Sequence, residues 1–181
     1  TGREFAHTRR KNLLLRDLDE LVNQQLAKML FANPQRIDYY DRYQEIIDAY
    51  NAEQNRATIE KTFMDLMELA SSLDTEQQRY VREGFSSDEE LSVYDLLFSE
   101  NLTKQEIETI KKVSVDLLIK IKQQIAKLDH WTDKQETKAI VDNLIRNTLW
   151  QELPNSYDVS DIQTYQKKIY EYVYMRYPEV A

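Results

Sequence analysis

The sequence predicts an all-α fold, a single bundle of about seven or eight helices with no sheet. Three observations predict it. Only two of the 181 residues are glycine and three are proline, and β-rich folds consume those residues in their turns. Apolar residues return at helical spacing in nearly every stretch. Ser/Thr-x-x-Glu/Gln patterns, which reciprocally cap a helix start, open one segment after another. The chain is long enough to bury a core, and 41% of it is hydrophobic.

Residues 1–7 read as a cloning remnant or the cut end of a longer chain, and residues 8–181 as the helical domain. The first helix is expected over His7–Phe31, with Leu14, Leu18, Leu21, Val22, Leu26, Met29 and Leu30 as its apolar side. Arg9, Arg10, Lys11 and Arg16 cluster near its start. A solvated basic end is the plainer reading, and a phosphate contact the sharper one. Asn33-Pro34 is a stop and a start, with Asn33 as N-cap and Pro34 in the first helical position. The second helix runs to about Tyr50, with Ile37, Tyr40, Tyr43, Ile47 and Tyr50 along one side. A third spans about Arg56–Leu73 on a stripe of Ile59, Phe63, Leu66, Met67 and Leu69. Thr75-Glu76-Gln77-Gln78 is expected to cap a short helix ending at Glu83.

Gly84 reads as a left-handed helix end. Ser87 and Glu90 form the next capping box, and Asp88, Glu89 and Glu90 suit the positive end of the helix dipole. Leu91, Tyr94, Leu97 and Phe98, interrupted by Asp95, make this short helix apolar enough to sit among longer ones. Thr103 and Glu106 cap the longest helix, to about Leu128, with Val113, Leu117, Leu118, Ile121, Ile125 and Leu128 in one arc. Lys111, Lys112, Lys120, Lys122 and Lys127 spread over the rest of it. They read as a solubilising face or as a surface for nucleic acid or an acidic partner. Asp129-His130-Trp131 forms a corner. Thr132 to Gln135 is expected to cap a helix ending near Glu152, on Val141, Leu144, Ile145, Thr148 and Leu149. Pro154 stops it. Ser160 to Gln163 is expected to cap the last helix, with Ile162, Tyr165, Ile169 and Val173 inward. Tyr170, Tyr174 and Tyr177 form a second stripe, a candidate partner-docking surface. No linker divides the chain.

Net charge is −8, unevenly spread. Residues 1–36 hold 7 basic and 4 acidic side chains, residues 37–110 hold 6 and 18, and residues 111–181 hold 11 and 10. The acidic middle repels phosphate backbones at long range, so DNA contact is expected through the ends and within a larger assembly. There is no cysteine, which removes disulfides and thiolate metal sites and fits a cytoplasmic protein. No apolar run of about 18 residues exists. Two glycines allow no phosphate-binding loop. His7 and His130 are isolated from one another; Glu4 precedes His7 at the Glu-x-x-His spacing of bundle di-metal sites, but the chain holds no second such pair. No catalytic residue and no metal site is expected.

Several runs resemble the C-terminal helical region of the R (motor and nuclease) subunit of type I restriction enzymes. They are Asn33-Pro34-Gln35-Arg36-Ile37-Asp38-Tyr39-Tyr40-Asp41-Arg42-Tyr43-Gln44-Glu45-Ile46-Ile47 with the following Tyr50-Asn51, then Glu83–Phe98, the Asp129–Thr137 corner and Ile145–Pro154. The resemblance extends from about Arg10 to Tyr177. It implies the C-terminal part of a longer subunit, whose preceding nuclease and motor domains use ATP and magnesium to pull and cut DNA. It implies no cofactor and no catalytic role for this segment. Its partners would be the methyltransferase core (the modification and specificity subunits), DNA within the assembled complex and the rest of the R subunit. Candidate DNA contacts are Lys111, Lys112, Lys120, Lys122, Lys127, Arg9, Arg10 and Lys11, and the five α-helical lysines from Lys111 to Lys127 are the basis of a DNA-guiding alternative to the assembly role.

Overall fold

The structure, a computed structural model, describes the backbone of residues 2–180 and the side chains of Arg3 and of residues 9–180. Thr1, Ala181 and the side chain of His7 lie outside the described residues. Among those described there are eight α-helices, two short 3-10 turns and no strand, so the all-α expectation holds. The helices gather into two compact units, Thr1–Arg82 and Glu83–Ala181. No linker marks the division. It falls beside Gly84, whose φ of +84° is the left-handed conformation expected of it.

The first unit holds α1 (Gly2–Ala32), a 3-10 turn at Pro34–Arg36, α2 (Ile37–Ala52), α3 (Arg56–Gln77) and the single turn α4 (Arg79–Arg82). Asn33 caps as expected, its side-chain oxygen accepting from the Gln35 N–H at 3.1 Å. Lys11 bonds Glu60 and Gln25 bonds Asp74, both across 49 residues. The two helices are therefore parallel, and α2 is the antiparallel return between them. The core is Leu15, Val22, Leu26 and Met29 of α1 with Tyr43, Leu66, Leu69 and Leu73.

The phase of α1 corrects the sequence reading. Leu15 is buried, whereas Leu14 is 51% and Leu21 64% exposed. Leu14-Leu21 and Leu15-Val22 are both heptad pairs, about 100° apart around the helix, and packing against α2 and α3 selects the second. In the same way Ile37, Phe63 and Met67 are exposed, while Arg36, Thr62, Leu73 and Glu76 are inside. Thr75 is no cap. α3 runs through it, and its hydroxyl donates to the Ser71 carbonyl at 3.1 Å, because the buried stripe continues through Leu73 to Glu76.

The second unit holds α5 (Asp88–Leu97), α6 (Lys104–Ala126), a 3-10 turn at Trp131–Asp133, α7 (Gln135–Glu152) and α8 (Val159–Arg176). α5 is the central element, packed by α6 and α8, with Leu91, Ser92, Val93, Tyr94, Leu96 and Leu97 all buried. Ser87 accepts from the Glu90 N–H at 3.3 Å, and Glu90 reaches back to the Ser86 N–H at 3.2 Å. The Thr103–Glu106 box is complete. Two other caps differ from expectation. Lys134, not Thr132, stands before α7 and makes no side-chain cap. α8 starts two residues early, on a reciprocal Asp158–Asp161 box in place of Ser160–Gln163. Asp158 accepts from the Asp161 N–H at 2.8 Å, and a carboxylate is the stronger acceptor at the positive end of a helix.

Candidate functional site

The aromatic stripe of α8 is built around Trp131. The corner before it turns through His130, held at φ +46°, which drops the indole into the interior of the second unit. The Trp131 ring is fully buried. Its Nε1–H donates to the Tyr177 carbonyl at 2.7 Å, and the Thr137 hydroxyl donates to the Trp131 carbonyl at 2.6 Å. Tyr170 and Tyr174 meet the indole edge-on, with centroids 6.1 and 5.8 Å away, the favourable geometry for such quadrupoles. Tyr170 is half-buried, and burial followed by the nearby Asp142 raises the pKa of its hydroxyl. Tyr174 is 39% and its neighbour Met175 67% exposed.

Tyr177 does not share that surface. It is 6% exposed, it packs against Tyr172 at 6.0 Å, and burial pushes its hydroxyl pKa far up. The chain leaves the helix at Tyr177, the C-cap of α8, so the i, i+4, i+7 continuation from Tyr170 is broken there. The outward surface of this corner is Tyr170, Tyr174 and Met175.

The α6 lysines divide into two groups. Lys111 pairs with Glu83 at 3.2 Å and lies over the Tyr94 ring at 5.9 Å. Lys120 pairs with Asp116 at 2.9 Å and Glu152 at 3.6 Å. Lys122 is bonded to Glu89 and lies 5.5 Å over the Tyr177 ring. Burial opposes the charge on Glu89, but Lys122 outweighs it and holds that carboxyl below its ordinary range. These three lysines fasten α6 to its neighbours. Lys112 and Lys127 are the exposed pair, about 22 Å apart along the helix. In the first unit Arg9 and Arg10 are exposed, and Lys11 is tied to Glu60 at 2.7 Å.

Two features escaped the sequence reading. One is a buried ionic cluster. Glu76 accepts from Arg36 Nε at 3.2 Å, from Arg79 Nε at 2.9 Å and from the Tyr39 hydroxyl at 3.4 Å. Arg36 also donates to the Met29 carbonyl at 3.3 Å. The only sequence signal was the position of Glu76 on the helical continuation of Leu69 and Leu73. The other is an open apolar groove of about 320 Å³ between α1 and α3, lined by Lys11, Leu14, Ile59, Glu60, Phe63 and Met64. The outward phase of Leu14 creates it.

Among the described residues no group of three or more His, Asp or Glu side chains could hold a metal ion, and no helix is long and apolar enough to cross a membrane. The family model described as "Type I restriction enzyme HindI endonuclease subunit-like, C-terminal" matches residues 2–177. No curated protein and no solved structure gives a match.

Proposed function

The chain belongs to the family of C-terminal domains of type I restriction enzyme endonuclease subunits, and from that premise we propose that it is a non-catalytic assembly domain. In this reading it docks the DNA-translocating and cleaving subunit onto the methyltransferase core, near the DNA path. ATP and magnesium act in other domains of that subunit. The observation that carries the reading is the Tyr170-Tyr174-Met175 surface over Trp131. An aromatic pair already locked edge-on to a buried indole loses little entropy on docking, which is the character of an interface anchor.

The test is titration of the 181-residue chain against purified methyltransferase core, with and without duplex DNA. Met175→Glu and Tyr174→Ala are each expected to weaken binding about tenfold or more while far-UV circular dichroism stays unchanged. Unaltered affinity in both variants would remove this surface from the reading.

The second reading is a DNA-guiding helix, favoured by the exposure of Lys112 and Lys127. Two phosphate contacts give a logarithmic salt slope of about −2. Loss of that slope in Lys112→Glu with Lys127→Glu supports it, and an intact slope rejects it.

A further inference from the structure

We propose that the groove between α1 and α3 receives an amphipathic, acidic helix from a protein partner. The inference rests on the docking reading but uses a different surface, on the first unit. The groove floor is apolar: Leu14, Ile59, Phe63 and Met64. Met64 is 69% exposed, and covering an apolar side chain of its size is favourable. The apolar strip continues along both helices through exposed Leu21 and Met67. Because α1 and α3 are parallel with a constant 49-residue offset, the strip has the straight, heptad-spaced form that accepts a further helix.

Charge selects the chemistry of the occupant. Arg10 is one turn before Leu14 on α1, and Arg56 is two turns before Phe63 on α3, so both share the groove's face. Parallel helices bring them to the same end, where Lys11 also lies. Lys11 at 2.7 Å and Arg56 at 3.5 Å share one carboxylate, Glu60, whose pKa is held down first by the Lys11 hydrogen bond. Positive charge therefore exceeds negative at this end, in a chain whose net charge is −8. A helix that lays leucine-like side chains on the floor and carboxylates at the Arg10–Arg56 end satisfies both features. A basic helix satisfies only one.

The probe is a fluorescein-labelled amphipathic peptide of about 18 residues, with leucine at i, i+3, i+4 and i+7 and glutamates beside them. Its counterpart carries lysine in place of glutamate. The 181-residue chain is expected to bind the acidic peptide about tenfold or more tighter than the basic one, with the preference shrinking toward about 1 M salt. Met64→Glu, at an exposed position, and Arg10→Glu with Arg56→Glu are expected to abolish that preference without changing the melting temperature. Absence of binding, equal binding of both peptides, or indifference to Met64→Glu would each overturn the proposal. So would a homodimer dissolved by Met64→Glu, since α2 of a second copy, with exposed Ile37, Tyr40, Asp38, Asp41 and Glu45, would then be the occupant. The core titration at Tyr174 and Met175 fails or succeeds independently of this peptide assay.

Discussion

Trp131 links the sequence corner at Asp129-His130 to the end of α8. Replacing it with phenylalanine removes the Nε1–H that reaches the Tyr177 carbonyl at 2.7 Å, orphans a buried acceptor and leaves a void beneath Tyr170 and Tyr174. The expected loss is about 3 kcal/mol, read as a lower urea midpoint by far-UV circular dichroism. A shift under about 0.5 kcal/mol, the scale of an ordinary surface substitution, would mean that the indole is not the anchor of this corner. Its neighbour Tyr177 was legible as an aromatic at helical spacing. Its burial was not, because that depends on where α8 ends, and Pro178 permits a helix to end at more than one residue before it.

At the level of the element, complete capping patterns were legible and competing ones were not. The Thr103–Glu106 box stands alone in its segment. The Ser160–Gln163 pattern overlaps Asp158–Asp161, and the carboxylate takes the helix start. The Thr75 pattern lies within a stripe that still buries Leu73 and Glu76. Apolar spacing alone left the phase of α1 open by one residue, and the same ambiguity hid both the groove and the Glu76 cluster.

The Glu76 cluster ties the turn before α2 to the end of α3 and sets a pH response. Burial disfavours its charge, yet Arg79 and Arg36 outweigh burial and hold its pKa below the ordinary 4.5. The folded state thus prefers the ionised form. This stabilisation is complete above the ordinary value and is lost as pH falls through the lower folded one. Glu76→Gln should destabilise the first unit by about 3 to 5 kcal/mol near neutrality, and the gap should narrow below about pH 4. A gap independent of pH would show that the carboxylate's charge does not matter.

Glu152 has the opposite sign. Burial and then Asp116 raise its pKa, against the pull of Lys120. Its contribution is present at low pH and is lost as pH rises through the raised folded value. Glu152→Gln should therefore raise the thermal midpoint at about pH 8 and leave it unchanged at about pH 4. A lower midpoint at about pH 8 would reverse the assignment.

For the whole molecule, the helical class was plain from composition, whereas the partition into Thr1–Arg82 and Glu83–Ala181 was not. Boundaries are ordinarily marked by flexible, glycine- or proline-rich stretches, and this one is a single left-handed residue beside a short helix. Gly84 stood out in the sequence as a helix end without revealing that two cores lie on either side of it. Each unit buries its own set of apolar side chains. Residues 1–82 and 83–181, expressed separately, are each expected to show helical circular dichroism and a cooperative melt. A disordered fragment in either case would show that its core does not suffice.

The central helix of the second unit is synthesised before the elements that cover it. The carbonyl of Leu97, at the end of α5, is satisfied by the Tyr157 hydroxyl at 2.5 Å, and the packing of α8 on α5 is complete only when the chain has reached Tyr177, the C-cap of α8. A ribosome adding about 5 to 20 residues per second needs about 4 to 16 s to travel the roughly 80 residues from Leu97 to Tyr177. Until α8 is made, the most apolar helix of the unit is covered by α6 alone, so α5 is the segment of the nascent chain that a chaperone has most reason to hold.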